Sequence, residues 1–225
     1  FVTADKVDFG NREANRDLLD SGTLYVARFN PDGRGEWLPL VVGHPKLSGF
    51  KDKGAILIHA RLAADALGAT KMDRPEDVEA NPKTGKVYVM LTNNNKRKPQ
   101  DVDAANPRAE NRFGHIIEIT PDGGDHAATG FAWEILVKCG DPTIAEVGAT
   151  FNSATSKEGW FGMPDNCAID ADGRLWVATD GNSVEVTGRI DGLFAMETEG
   201  DLRGTSRLFF RCPTGAELCG PCFTP

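Results

Sequence analysis

An all-β chain folded as a β-propeller is the fold class this sequence predicts, and three observations lead to it. Short segments rich in β-formers recur along the chain, separated by turns of Pro, Asp, Asn and Gly. Only one stretch, about Gly54 to Leu67, carries the three-and-four spacing of a helix. A phrase that sets a carboxylate just before a strand, then a turn and a second strand, also recurs. It reads Arg74-Pro75-Glu76-Asp77-Val78-Glu79 before Gly85-Lys86-Val87-Tyr88-Val89, and Met163-Pro164-Asp165-Asn166-Cys167-Ala168 before Gly173-Arg174-Leu175-Trp176-Val177. A third instance is Glu217 leading into Gly220-Pro221-Cys222-Phe223. In a propeller each innermost strand begins near the central axis, so carboxylates repeated there converge on one point. A β-sandwich also holds many short strands, but gives no reason for this placement.

Taken in order, Phe1 to Asp20 is polar and irregular. Gly22-Thr23-Leu24-Tyr25-Val26-Ala27-Arg28-Phe29 alternates, enters the turn Asn30-Pro31-Asp32-Gly33, and Glu36 to Val41 returns as its partner. In the helical stretch, Ile56, His59, Ala60, Ala63, Ala64 and Leu67 form an apolar stripe and Gly68 stops it. That spacing places His59 in the core. Further strands are expected at Lys86 to Thr92, Gly114 to Thr120 with Phe131 to Val137 answering it, Cys167 to Asp170, Leu175 to Asp180, Leu193 to Glu197 and Ser206 to Arg211. The run Lys96-Arg97-Lys98 reads as a solvated loop, and Asp101 to Arg112 as a long excursion over the surface.

The 225 residues read as one partial propeller domain, 1–225, truncated at both ends. The chain starts on Phe1, and it stops at Pro225 where a further turn is expected. Hydrophobic residues make up 40% and charged residues 26%, as in ordinary globular proteins. A net charge of −8 opposes a nucleic-acid partner. No apolar run approaches the roughly 20 residues of a membrane span. No signal peptide is visible, which leaves the compartment open in a chain read as truncated.

The five cysteines are Cys139, Cys167, Cys212, Cys219 and Cys222. Cys219-Gly220-Pro221-Cys222 lacks the strand-to-helix setting of a redox motif and the second ligand pair of a zinc site, so these cysteines read as small buried residues.

Glu76, Asp165 and Glu217 are hard oxygen donors of the kind Ca²⁺ selects, and Asn93, Asn94 and Asn166 add neutral oxygens at the same mouth. Singly, each reads more readily as a turn-stabilising carboxylate or an Asx turn, and it is their like positions in successive units that favour a metal. Pro75 holds its own φ at about −65° and biases Arg74 towards an extended backbone, so that Arg74 and Glu76 project from the same side. A planar guanidinium beside metal-binding carboxylates suits a phosphate. The plainer alternative is a surface ion pair before a hairpin. No Gly-x-Ser-x-Gly elbow, phosphate-cradling Gly-rich loop or His-Glu-x-x-His is present, and the four histidines stand in unrelated contexts.

The phrases around Arg74, Asn94, Asp165 and Glu217, with Gly22 to Phe29 and Gly35 to Leu40 upstream, resemble the PhoX family of bacterial alkaline phosphatases. The resemblance implies a six-bladed propeller exported by the twin-arginine route, hence periplasmic or secreted. It implies hydrolysis of small phosphomonoesters at a cluster of calcium and ferric iron ions. On these terms Arg74 and Glu76 are catalytic, Arg74 and Asn94 bind substrate, and Glu76, Asp165 and Glu217 ligate metal. The family draws further ligands, including a cysteine on iron, from a more N-terminal region that this chain does not match. The piece alone is therefore expected to be inactive, and the protein a monomer. Two other readings stay open: a calcium-dependent propeller lactonase or esterase, and a non-catalytic, calcium-stabilised binding module.

Overall fold

Two antiparallel four-stranded blades carry the structure, a computed structural model that describes residues 1–211. The first blade is β5 (Pro75–Ala80), β6 (Val87–Leu91), β7 (His115–Pro121) and β8 (Gly130–Lys138), and the second is β9 (Pro164–Ile169), β10 (Leu175–Thr179), β11 (Gly192–Met196) and β12 (Ser206–Arg211). In each, neighbours in sequence are neighbours in the sheet, the meander of a propeller blade. Upstream lie β1 (Val2–Thr3), β2 (Gly22–Thr23), β3 (Tyr25–Phe29) and β4 (Arg34–Pro39). The expected β3–β4 hairpin forms, and β4 pairs with β8 to extend the first blade outward into a six-stranded sheet.

The blades pack face to face through residues that alternate along their strands. Tyr88 and Met90 of β6, Leu175 and Val177 of β10, and Phe194 and Met196 of β11 are all at most 1% exposed. Period two explains this, because alternate side chains of a strand share a face. β7 keeps the alternation but is covered on both faces: Ile116 lies in the inter-blade core, and Ile117 and Ile119 lie under Phe131 and Trp133. The register shift beside them leaves the extra residue in β8, Leu136, which joins its neighbour Val137 in the inter-blade core. Polar groups lock the blades as well. Asp77 accepts from the Cys167 N–H at 2.8 Å, and the Asn81 amide donates to the Gly173 carbonyl at 3.0 Å. Buried Glu118 of β7 takes Lys86 at 3.1 Å and Arg203, from the β11–β12 turn, at 3.2 Å.

Three expectations need correction. The helical stretch is two helices, α1 (Lys53–Ile58) and α2 (Ala60–Leu67), broken at His59, whose φ of −105° and ψ of 36° leave the helical region. Asp52 caps α1 through the Ala55 N–H, and Gly68 at φ 82° ends α2 as expected. Ile56, Ala63 and Leu67 still share one buried face against Leu40 and Leu47, but His59 is exposed at the break and belongs to no core.

The charged run is not wholly solvated either. Arg97 is buried, and its guanidinium meets Asp73 Oδ1 at 2.5 Å and the carbonyls of Asp101 and Lys71 at 2.5 and 2.6 Å. Nor is 101–112 a surface excursion throughout, since Ala105, Asn106 and Asn111 are at most 2% exposed. Arg108 fastens this segment to the carbonyls of Cys139, Val147 and Gly114.

Cys139 is buried and Cys167 half-buried, both as free thiols, and burial pushes the Cys139 thiol up to about 12. Cys212, Cys219, Cys222 and Glu217 lie outside the described residues.

Candidate active site

Arg74 stands immediately before β5 in a backbone conformation that sequence rules disfavour twice. Its φ is 42°, in the left-handed region that costs a side chain energy, and it precedes a proline. The extended backbone expected of it is absent. Met163, immediately before β9, repeats the feature with φ 51° ahead of Pro164. The hydrogen bonding matches too: Thr92 N–H donates to the Arg74 carbonyl at 3.1 Å, and Asp180 N–H to the Met163 carbonyl at 3.2 Å. The two phrases follow one backbone path, so Glu76 and Asp165 occupy corresponding places.

A buried network holds the Arg74 turn. Asp73, fully buried, bonds Arg97 through one carboxylate oxygen and takes Asn111 Nδ2 at 3.0 Å on the other. Its own N–H donates to Asn106 Oδ1 at 2.9 Å. Behind Asn111 lies His115, whose Nε2 is 2.8 Å from the Ala105 carbonyl and whose Nδ1 is 3.3 Å from Asn111 Nδ2. That pattern sets the proton on Nε2, facing the carbonyl. Desolvation of the cation lowers the ring to about 4, against the Ala105 hydrogen bond and the Asp73 charge, which raise it, and with smaller help from Arg108 and Arg97.

With its backbone fixed, Arg74 folds its guanidinium across the mouth of the site. Nη2 donates to Glu76 Oε1 at 2.8 Å and Nη1 reaches Asn93 Oδ1 at 3.4 Å. The Arg74 and Glu76 side chains are 61% and 33% exposed, so as an ion pair they add at most about 1 kcal/mol to stability. Strain of about 1–3 kcal/mol at the Arg74 backbone is not repaid by such a pair, which points to a role other than stability.

Asp165 is half-buried, with Thr92 Oγ1 at 3.5 Å. Burial raises its carboxyl above the usual range, and the negative charges of Glu76 and Asp180 raise it further, against smaller opposing effects of Thr92 and Arg74. Asp165 therefore lies within reach of the charges of both Glu76 and Asp180, and like charges so placed favour a cation. Asp180 carries no signal of its own in the sequence, where it closes a strand. Only the match of its N–H to that of Thr92, each bonded to a residue before proline, sets it at the site.

Asn94 is turned away from Arg74. Its N–H donates to the Asn111 carbonyl at 2.6 Å, and its Oδ1 accepts from the Lys96 N–H at 3.2 Å. The amide beside the guanidinium is Asn93. Asn166 is exposed on β9, one residue past Asp165. Among the described residues no three His, Cys, Asp or Glu side chains are grouped to hold a metal ion by themselves. The donors present, Glu76 and Asp165, fit part of a metal site: they are hard oxygens, and the Glu76 charge helps to raise the Asp165 carboxyl.

No match was found among curated proteins. Among solved structures, the chain is similar to Pseudomonas fluorescens PhoX in complex with vanadate, a transition state analogue, with 40% sequence identity and a TM-score of 0.84. That likeness covers 96% of this chain and 40% of the other, so this chain spans well under half the length of its relative. The family described as alkaline phosphatase PhoX matches residues 1–225. A match along the entire sequence, on a backbone that superimposes this well, establishes that the chain belongs to the PhoX alkaline phosphatase family.

Proposed function

We propose that this chain forms one wall of a metal-dependent phosphomonoester hydrolase centre that releases inorganic phosphate from small organic phosphate esters. The observation that carries the reading is Arg74 held at a strained backbone and aimed, through Glu76 and Asn93, over the mouth shared with Asp165 and Asp180. A planar guanidinium fixed there donates two parallel bonds to the non-bridging oxygens of a phosphoryl group and stabilises the charge they gain in the transition state. Glu76 keeps Arg74 from swinging into solvent and, with Asp165, offers hard oxygens to a cation; Glu217 is the third proposed ligand. Calcium and ferric ions, implied by the family, would supply Lewis acidity that offsets the charge of the phosphoryl oxygens. Asn94, bonded to Asn111, holds the loop that carries Asn93 on the substrate side of the site.

A neutral lactone gives no reason for a guanidinium here, and a non-catalytic scaffold gives none for the strain beneath it. The reading carries export with it, so the complete protein is expected in the periplasm or outside the cell, which fractionation of the producing cells checks. The test of function is turnover of p-nitrophenyl phosphate by the complete protein. Activity should vanish on exhaustive chelation and return with calcium, and Glu76→Gln should lower kcat/KM by about a hundredfold or more. Full activity after chelation, or in Glu76→Gln, contradicts the proposal.

A further inference from the structure

Beside the mouth lies a cleft of about 390 Å³. Asn93, Glu110, Arg112, Met163, Glu185 and Val186 line it. Its walls come from the β6–β7 loop of one blade and, on the other, from the residue before β9 and α3 (Val184–Thr187). It is continuous with the proposed phosphate site through two residues. Asn93 is both a wall of the cleft and the partner of Arg74 Nη1, and Met163 stands two residues before Asp165.

Backbone strain marks the same place. The non-glycine residues described at positive φ are Arg74, Glu110 and Met163, at 42°, 45° and 51°. Two of these line the cleft, and the third is bonded to its wall. Left-handed backbone at side-chain-bearing residues persists only where the surroundings enforce it, and it gathers at functional sites. Glu110 is enforced from behind: its N–H donates to the carbonyl of buried Arg97 at 2.8 Å.

The chemistry of the walls names a ligand class. Glu110, Arg112 and Glu185 are exposed at the cleft, and among the described residues none of them makes an ion pair with another side chain. Two carboxylates, an amide and a guanidinium that are uncommitted to one another suit neighbouring hydroxyl groups, which donate to the first and accept from the last. Met163 and Val186 supply a short apolar wall for the C–H face of a ring. A cleft of this volume lies within the range of small-molecule sites.

We propose that this cleft is the subsite for the leaving group of the ester, and that it selects a hydroxylated one, a sugar or polyol phosphate. The proposal rests on the phosphatase reading above. Phosphate bound under Arg74 leaves its ester oxygen pointing into the space walled by Asn93 and Met163, where Glu110, Arg112 and Glu185 take the hydroxyls.

The experiment compares kcat/KM for glucose 6-phosphate and p-nitrophenyl phosphate in the complete, metal-loaded protein. The variants are Glu185→Ala and Arg112→Ala, with Glu110→Gln as a third that keeps the backbone's side-chain bulk. Each is expected to cut the sugar phosphate about tenfold, mostly through KM, and at least fivefold more than the nitrophenyl ester, which lacks the hydroxyls. Equal losses on both substrates, or no loss on glucose 6-phosphate in any of the three, overturn the subsite. Failure of the parent reading looks different, since there the unsubstituted protein would turn over neither ester.

Discussion

Arg74 is the residue where local rules and the folded structure part. Pro75 disfavours what the backbone adopts, and the outcome is decided by groups far away in sequence: Asp73 with Arg97, Asn106 and Asn111. Those partners were illegible beforehand. A Lys-Arg-Lys run looks the same whether its arginine is solvated or buried, and the loop residues that receive it carry no periodicity. The network makes its own predictions. Arg97→Ala strands the fully buried Asp73 carboxylate, and should cost about 3–5 kcal/mol in denaturant unfolding. A cost below about 1 kcal/mol would mean that the pair is not the support described.

His115 adds a pH dependence to the same network. Its ring is lowered from 6.5 to about 4 in the folded protein, so between those values the unfolded chain binds the extra proton and the native state does not. Stability therefore rises with pH across that window and is lost as pH falls through it, by up to about 3 kcal/mol. Unfolding free energies of the unsubstituted protein and of His115→Gln, measured from pH 4 to pH 7, should differ in slope, with the shallower slope in the variant. Parallel curves would show that His115 is not the group responsible.

At the scale of elements, most of the strand pattern was legible, because strands that face a core on one side alternate and their turns are spelled by Pro, Asp and Gly. β6, β10 and β11 show this directly. The pre-β5 and pre-β9 phrases were legible as a repeat for a stronger reason, now visible as a shared backbone path at Arg74 and Met163. The helix break at His59 was not, since Ile56, Ala63 and Leu67 keep one face across it. Nor was the docking of β4 on β8. That pairing depends on Gly35, opposite Phe131, where a β-carbon would run into the aromatic ring. Gly35→Val should push the β3–β4 hairpin off the blade and destabilise by about 1–3 kcal/mol. Unchanged thermal unfolding of that variant would place the hairpin's support elsewhere, in its packing on α1 and α2.

At the scale of the whole molecule, the blades place β5 and β9 side by side and bring Arg74, Glu76, Asp165 and Asp180 to one mouth. Asp165 and Glu76 could be paired from the sequence because their phrases match. Asp180 could not, because it joins them only through the folding of β10 back along β9. Where the family likeness implied Asn94 beside Arg74, the structure sets Asn93 at the guanidinium. The acidic balance of the chain, −8 overall, has a local counterpart there, where Asp165 lies within reach of two further carboxylates, Glu76 and Asp180, and of one arginine.

The measurement that bears most directly on that arrangement is kcat/KM for p-nitrophenyl phosphate in Arg74→Ala and Arg74→Lys of the complete protein. If Arg74 grips the phosphoryl group as a planar fork, alanine should lose about a hundredfold or more and lysine should recover only a minor part of it. Turnover in Arg74→Ala within twofold of the unsubstituted protein would contradict the account at its centre.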